Sequence, residues 1–323
     1  MNILTPVLEL IGSLGLLLYG MKLMSDGVQK SAGEKLQRTL SVVTSNKVVA
    51  ILTGMLITMI IQSSGATTVM VVTFVNAGLI SLAQSAGVIF GANIGTTITA
   101  WIVSIFGFNF KISAFAVPVV GLGYFLSIFK KRKYQNIGEA IMGFGLLFLG
   151  LSGLSSVFTP DQLGWMLNIK GTGASAIILG FLIGIVVTAL LHSSSAFSAI
   201  VITMAYNGLI SWELAAAMTL GSNVGSTVDS IMASMGTSAN GRRAALIHVM
   251  FNLFGTIVVL CFLKPFLDLV MFITPGQENS NIAIRISMLH TVFNIITTCV
   301  MTPLSGKLVK IAEFLIKDDP SEK

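Results

Sequence analysis

From Val48 to Phe110 the chain carries no Asp, Glu, Lys or Arg, and only hydroxyls, amides and glycines interrupt its apolar residues. This stretch limits the fold more than any other feature. Several such runs reach the roughly 20 residues that cross a bilayer as a helix. Composition agrees: 54% of the 323 residues are hydrophobic, 10% are charged, and the mean hydropathy is +0.89. A soluble domain carries about 25% charged residues. The fold class implied is an all-α polytopic membrane protein, and the 32 glycines suit helices that approach closely where lipid supplies no hydrophobic drive.

The stretch contains two motifs, Gln62-Ser-Ser-Gly-Ala-Thr-Thr and Gly91-Ala-Asn-Ile-Gly-Thr-Thr. Sliding the sequence until Gln62 falls on His192 places His192-Ser-Ser-Ser-Ala-Phe-Ser on the first. The same shift places Gly221-Ser-Asn-Val-Gly-Ser-Thr on the second, without a gap. The chain therefore reads as repeat 1 (1–130), repeat 2 (131–263) and an added helix with a charged tail (264–323).

Val7 to Met24 reads as a retained first span, followed by a polar interfacial stretch over 25–47. Val48 to Ile80 is 33 residues long, about 50 Å as one helix against a hydrocarbon core of about 30 Å. A break at Gln62-Ser63-Ser64 would leave two arms of about half a bilayer each, a re-entrant hairpin whose irregular tip must be buried in protein or line a cavity. Leu82 to Phe106 reads as a crossing broken at Asn93-Ile94-Gly95, and Ile112 to Phe129 closes the copy. Ile137 to Phe158, a hairpin over Ser175 to Ile210, a broken span over Trp212 to Met235 and a span over Ala244 to Leu263 repeat the pattern. Ile282 to Pro303 is the added helix.

An odd number of crossings per copy makes the two copies run oppositely. The basic residues fit this when 25–47, 130–136, 242–243 and the C-terminus are cytoplasmic and 107–111, 159–172 and 264–281 lie outside. The net charge of +6 thus reflects loop placement rather than a nucleic-acid partner. Inverted repeats with paired breaks point to a secondary transporter with its site near the midplane.

With no Lys or Arg at the motifs, a ligand there must be held by backbone N–H groups, hydroxyls and amides. Helix N-termini supply about half a positive charge each, so two facing breaks form an anion cradle. Freed carbonyls and hydroxyls suit Na⁺, and a buried anion needs accompanying cations. Cation-coupled uptake of a small anion follows. Sulfate or a dicarboxylate fits the cradle equally, and a non-transporting membrane scaffold or sensor is the rival of another class.

The paired motifs resemble the sodium/phosphate cotransporter family, the type II cotransporters of animals and their bacterial relatives, over both repeats. The resemblance implies import of inorganic phosphate coupled to sodium ions, in a bacterial inner membrane, by a protein that is not an enzyme and needs no cofactor beyond Na⁺. It places substrate at Gln62, Ser63, Ser64, Gly65, His192, Ser193, Ser194 and Ser195. Ion contacts would fall to Thr67, Thr68, Asn93, Thr96, Thr97, Ser198, Asn223, Ser226, Thr227 and Asp229. Lipid and a second copy of the chain are the further partners. Three positions depart from the pattern: Gly65 and His192 stand where the family has Ser and Gln, and Asp229 replaces the hydroxyl that Thr99 supplies in repeat 1. Many bacterial relatives carry a cytoplasmic helical domain after the last span, and the sequence up to Lys323 has none.

Other patterns read as structural. His248 with Asn252 and His290 with Asn294 share a His-x-x-x-Asn spacing on one helical face each, which suits interhelical hydrogen bonds. Nucleophilic catalysis at His192 and its serines lacks a Gly-x-Ser-x-Gly elbow and an evident acid partner. Gly171-Thr-Gly reads as a loop rather than a nucleotide motif. Cys261 and Cys299 imply neither a disulfide nor a metal, only packing.

Overall fold

The computed structural model describes residues 4–41, 46–109, 115–159, 173–274 and 281–318. The described residues form α1 (Leu4–Ser41), α2 (Lys47–Ile61), α3 (Ser64–Asn76), α4 (Leu82–Ile102), α5 (Ala116–Ser127), α6 (Arg132–Val157) and α7 (Ala174–Leu191). They continue as α8 (Ser194–Tyr206), α9 (Trp212–Gly225), α10 (Thr227–Ser234), α11 (Ala239–Cys261), α12 (Leu263–Ile273) and α13 (Ile282–Leu315), with no strand among them. Among the described residues, six helical stretches are long and apolar enough to cross a membrane.

Helix ends recur at equivalent positions of the two copies because the same side chains cap them. Ser63 Oγ accepts from Ala66 N and Ser193 Oγ from Ala196 N, each at 3.1 Å. Ser81 and Ser211 cap α4 and α9 through Gln84 N and Leu214 N. Gly78 (φ +69°) and Gly208 (φ +74°) supply the left-handed turn that ends the segment begun by α3 and by α8.

Glycine sets how helices meet. A Cβ on Gly54, Gly91 or Gly95 of α2 and α4 would strike the carbonyls of Val88, Ile51 and Met55. A Cβ on Gly184, Gly221 or Gly225 of α7 and α9 would strike those of Met218, Phe181 and Ile185, the equivalent contacts of the second copy. Within each pair residue numbers rise together, so α2 lies parallel to α4 and α7 to α9. The helix between, α3 or α8, therefore carries the chain back to the level where its predecessor began. Between the repeats, Gly20 abuts Gly143 and Leu147, while Gly150 abuts Ser13 and Leu17. These are one contact seen from both sides, because the shift that carries Gly20 to Gly150 carries Ser13 and Leu17 to Gly143 and Leu147. Numbers run oppositely along α1 and α6, so the equivalent helices pack antiparallel in a self-complementary, two-fold manner. Lys30 Nζ and Glu139 Oε2, 2.7 Å apart, close one end of this pair.

Buried apolar side chains fill the space on both sides of the breaks. Leu17, Leu147, Phe148, Phe197 and Ile202 form one cluster. Ile57, Ile61, Phe90 and Phe251 form another, with the Phe90 and Phe251 rings stacked at 4.6 Å.

Several boundaries differ from the sequence expectation. α1 is one helix of 38 residues rather than a span and a separate surface segment. α4 runs unbroken through Asn93-Ile94-Gly95. There the Asn93 amide donates back to its own helix at Ile89 O, and Gly95 serves close approach to Met55 instead of a break. The irregularity falls later, as a π-helical stretch over Val103–Asn109. In the second copy a break does occur, at Ser226 between α9 and α10. The hairpin arms have 15, 13, 18 and 13 residues. Each is longer than half of a hydrocarbon core of about 30 Å, at a helical rise of about 1.5 Å per residue. α13 continues past Pro303 to Leu315, because that proline sits on the exposed face and Thr302 and Ser305 bond back onto the turn. Cys261 and Cys299 are free and exposed on the outside of their helices rather than packed in the core. The loop motif at Gly171 lies outside the described residues.

Gly54→Val and Gly184→Val are each expected to lower stability by about 1–3 kcal/mol through overpacking. Gly12→Ala and Gly15→Ala, which meet nothing within 4 Å, should change it by less than about 0.5 kcal/mol. Unfolding of detergent-solubilised protein measures both.

Candidate functional site

At both breaks one residue turns left-handed: Gln62 at φ 60° and His192 at φ 51°. Neither is glycine, and such a backbone costs about 1–3 kcal/mol unless its surroundings hold it. Each is held by its own side chain. Gln62 Oε1 accepts from Thr99 Oγ1 at 2.9 Å, and His192 Nδ1 meets Asp229 Oδ1 at 2.8 Å. These are the same pair of positions in the two copies.

The opposite hairpin completes each pair. Ser195 Oγ donates to Thr99 Oγ1 at 3.2 Å, which links Ser195, Thr99 and Gln62 in one uncharged chain. The equivalent of Ser195 in repeat 1 is Gly65, and a Cβ there would collide with Asp229 Oδ2. The three departures from the family pattern thus meet at one point. The Asp229 carboxylate fills the place that a side chain at 65 would take, and His192 binds its other oxygen. Asp229 is also the acid partner that the motif alone does not reveal for His192. A catalytic triad is still not assembled, because among the described residues no serine hydroxyl bonds the His192 ring.

Around these pairs the structure brings Gln62, Ser63, Ser64, Gly65, His192, Ser193, Ser194 and Ser195 together. With Ser226 and Asp229 they line one cavity of about 30 Å³, room for a water or two. The N-termini of α3 and α8 both open onto it. A groove of about 480 Å³ adjoins it and shares Ser63, Gly65, His192 and Asp229 with it. Asp229 is mostly buried, with 19% of its side chain exposed, whereas His192 is half exposed.

The other residues expected to touch ions stand apart from this cavity. Thr67 bonds Thr58 and Ser63 O, Thr68 bonds Gly65 O, and Thr97 and Thr227 bond their own helices at Ile94 O and Val224 O. Asn93 and Asn223 donate to Ile89 O and Thr219 O. Thr96 and Ser198 differ: both hydroxyls are buried without a hydrogen-bond partner. Thr99 is the site residue that sequence reasoning passes over. Its one signal is its alignment with Asp229, which reads there only as a departure.

The site defined here lies inside a multi-pass helical membrane protein, at paired helix breaks. The chain belongs to the Na⁺/Pi-cotransporter family, whose profile matches residues 16–156 and 166–298. That family consists of transporters, not enzymes, and its members point to phosphate as the cargo. A Bacillus subtilis (strain 168) protein, the uncharacterized YqeW, is 29% identical over 320 residues, 96% of this chain and 99% of its own. YjbB of Escherichia coli (strain K12), named as a candidate inorganic phosphate export protein, is 28% identical over 97% of this chain. This chain spans 56% of the length of YjbB. The sodium-dependent phosphate transport protein 2B of Rattus norvegicus is 33% identical over 131 residues, 39% of this chain and 18% of its own. No solved structure matches the chain significantly.

Gly65→Ser should destabilise the protein by about 1–3 kcal/mol, since the new side chain displaces a buried carboxylate. Adding Asp229→Thr recreates the Ser195–Thr99 arrangement and should recover more than half of that loss. A thermal-unfolding double-mutant cycle reads the coupling.

Proposed function

We propose that the chain carries inorganic phosphate across the membrane together with sodium ions, by alternating access between two inverted repeats, 1–130 and 131–263. One observation carries this reading. Eight tip residues from two distant segments converge on one cavity, and two helix N-termini open onto it. Backbone N–H groups and serine hydroxyls suit a tetrahedral oxyanion, and the helix dipoles favour its charge. The antiparallel packing of α1 on α6 supports the inverted arrangement, because a two-fold axis across spanning helices lies in the membrane plane. The return of α3 and α8 beside parallel neighbours supports re-entrant hairpins.

A cavity of about 30 Å³ does not hold phosphate. We assign it to a closed form, from which the hairpin tips part to admit the anion. The unpartnered hydroxyls of Thr96 and Ser198 are oxygen ligands that Na⁺ requires. With its carboxylate bound to His192, Asp229 opposes an incoming anion less than a bare charge would. The direction of net flow follows the sodium gradient, which is import where sodium is low inside.

Labelled phosphate should enter proteoliposomes under an inward Na⁺ gradient and not under a choline gradient. Uptake or efflux indifferent to Na⁺ would overturn the coupling. Ser64→Ala and Ser194→Ala should each raise the half-saturating phosphate concentration at least fivefold with normal expression, as expected for a lost hydrogen bond of about 1–3 kcal/mol. Cysteines at Lys131 and Asn240, both exposed, should label from one side of the membrane and a cysteine at Ala174 from the other.

A further inference from the structure

A cleft of about 870 Å³ lies away from the hairpin tips, between α12 and the first turns of α9 and α13. Its volume falls in the range of about 300–1,000 Å³ typical of small-molecule sites. Lys264 comes three residues after α11 ends at Cys261, and Arg285 sits in the first turn of α13. Both helices are long and apolar enough to cross a membrane, so the cleft sits at a membrane edge, where lipid headgroups lie. α12 suits that depth. It buries Phe266, Leu267 and Val270 against the bundle and presents Phe262 and Phe272 outward, as an interfacial helix does.

The polar lining of the cleft carries both signs of charge. Lys264 and Arg285 are basic, Glu213 and Asp268 are acidic, and the four sum to zero. Arg285 is only 5% exposed. Trp212 adds an uncharged donor, for its Nε1 is buried without a hydrogen-bond partner, which calls for an acceptor brought from outside the chain. The repeat does not demand these side chains. The shift that carries Gln62 to His192 carries Leu82-Ala83 to Trp212-Glu213, while Lys264, Asp268 and Arg285 lie beyond the second copy.

An apolar groove of about 410 Å³ continues from the cleft. The two share Ile210 and are lined by consecutive residues at 176–177 and at 204–205. Leu179, Ile183 and Val187 of α7 form one side of the groove, Phe197 and Ile200 of α8 another, and Leu214 and Met218 of α9 the third. From Ser175 to Val187 it follows α7 for about 18 Å, at a helical rise of about 1.5 Å per residue. Its course leads from the membrane edge inward, as an acyl chain runs from its headgroup.

We propose that cleft and groove together hold one zwitterionic phospholipid of the phosphatidylethanolamine type. Its phosphodiester faces Arg285, Lys264 and Trp212 Nε1, its ammonium faces Glu213 and Asp268, and one acyl chain follows the groove. Basic pockets between spanning helices are known headgroup sites. The two carboxylates select the zwitterion here, because an anionic lipid brings no cation to answer them. A free phosphate ion would leave both the carboxylates and the groove without a partner. The site is independent of the sodium and phosphate reading above.

The test titrates phosphatidylethanolamine into the full chain, delipidated in detergent and free of sodium and phosphate, and native mass spectrometry reads the lipid-bound fraction. A saturable one-lipid adduct is expected, with phosphatidylglycerol of the same chains at least about fivefold weaker. Glu213→Gln combined with Asp268→Asn should abolish that preference. Lys264→Gln, Trp212→Phe and Arg285→Gln should each raise the half-saturating lipid concentration at least about threefold. Leu179→Trp, which fills the groove, should do the same. If Arg285→Gln does not purify, Lys264→Gln and Leu179→Trp decide, since both positions are exposed. Glycerophosphoethanolamine, the headgroup without chains, should not compete at equal concentration. No saturable adduct, phosphatidylglycerol bound as tightly or more so, a preference that survives loss of both carboxylates, parent-like affinity in Lys264→Gln and Leu179→Trp, or equal competition by the bare headgroup would overturn the site.

Discussion

Two left-handed residues, each tied by its side chain to the following helix of its own repeat, hold the centre of this molecule. Without the Gln62–Thr99 and His192–Asp229 contacts, the chain would have no local reason to reverse at 62 and 192, where no glycine relieves the backbone. The serine caps at 63 and 193 can start new helices only because the preceding residue has already turned. The contact also reaches across the molecule. Positions 99 and 229 each receive the tip of the other hairpin, so neither half-site exists until both repeats have folded together.

The frame that permits this is backbone against backbone. In lipid, helices gain little from burying leucine, so close approach supplies the association. The glycines of α2 and α4 and of α7 and α9 make the same approaches in both copies, and α1 meets α6 through the exchange of one contact with itself. These surfaces are rigid because a carbonyl lies where each Cβ would go. In the proposed transport cycle, movement would fall between such units rather than within them. The breaks, with their short side-chain ties, are the places of least resistance.

Much of this is legible in the sequence. The uncharged run implies the class, the gapless match of Gln62 onto His192 and Gly91 onto Gly221 implies the repeat, and Gln62-Ser63 and His192-Ser193 mark the breaks. The eight tip residues can be named from their motifs, and the cavity brings all eight together. What fails is local. Asn93 and Gly95 carry the residue types of a helix break, yet the amide satisfies its own helix and the glycine serves packing, and composition cannot tell these uses apart. The unit of Gly65, His192 and Asp229 is also hidden, although each stands out singly. Linear distance separates 65 from 229, and only the crossing of the hairpins shows that the missing side chain makes room for the carboxylate.

The two half-sites share a backbone and differ in charge. In the half-site around Thr99 the chain from Ser195 through Thr99 to Gln62 is neutral whatever the solution. In the half-site around Asp229 the equivalent three positions hold a glycine, a carboxylate and an imidazole. An unpaired carboxylate here would be costly to desolvate and would repel an anion at the proposed cradle beside it. Placed against the imidazole, its charge is answered at one oxygen, while the other occupies the pocket that Gly65 leaves open. None of the three substitutions is favourable alone: serine at 65 clashes with the aspartate, glutamine at 192 leaves the carboxylate without a basic partner, and threonine at 229 leaves a void beside glycine. The group is therefore best understood as a single change distributed over both repeats, which gives one side of a near-symmetric site a dipole that the other side lacks.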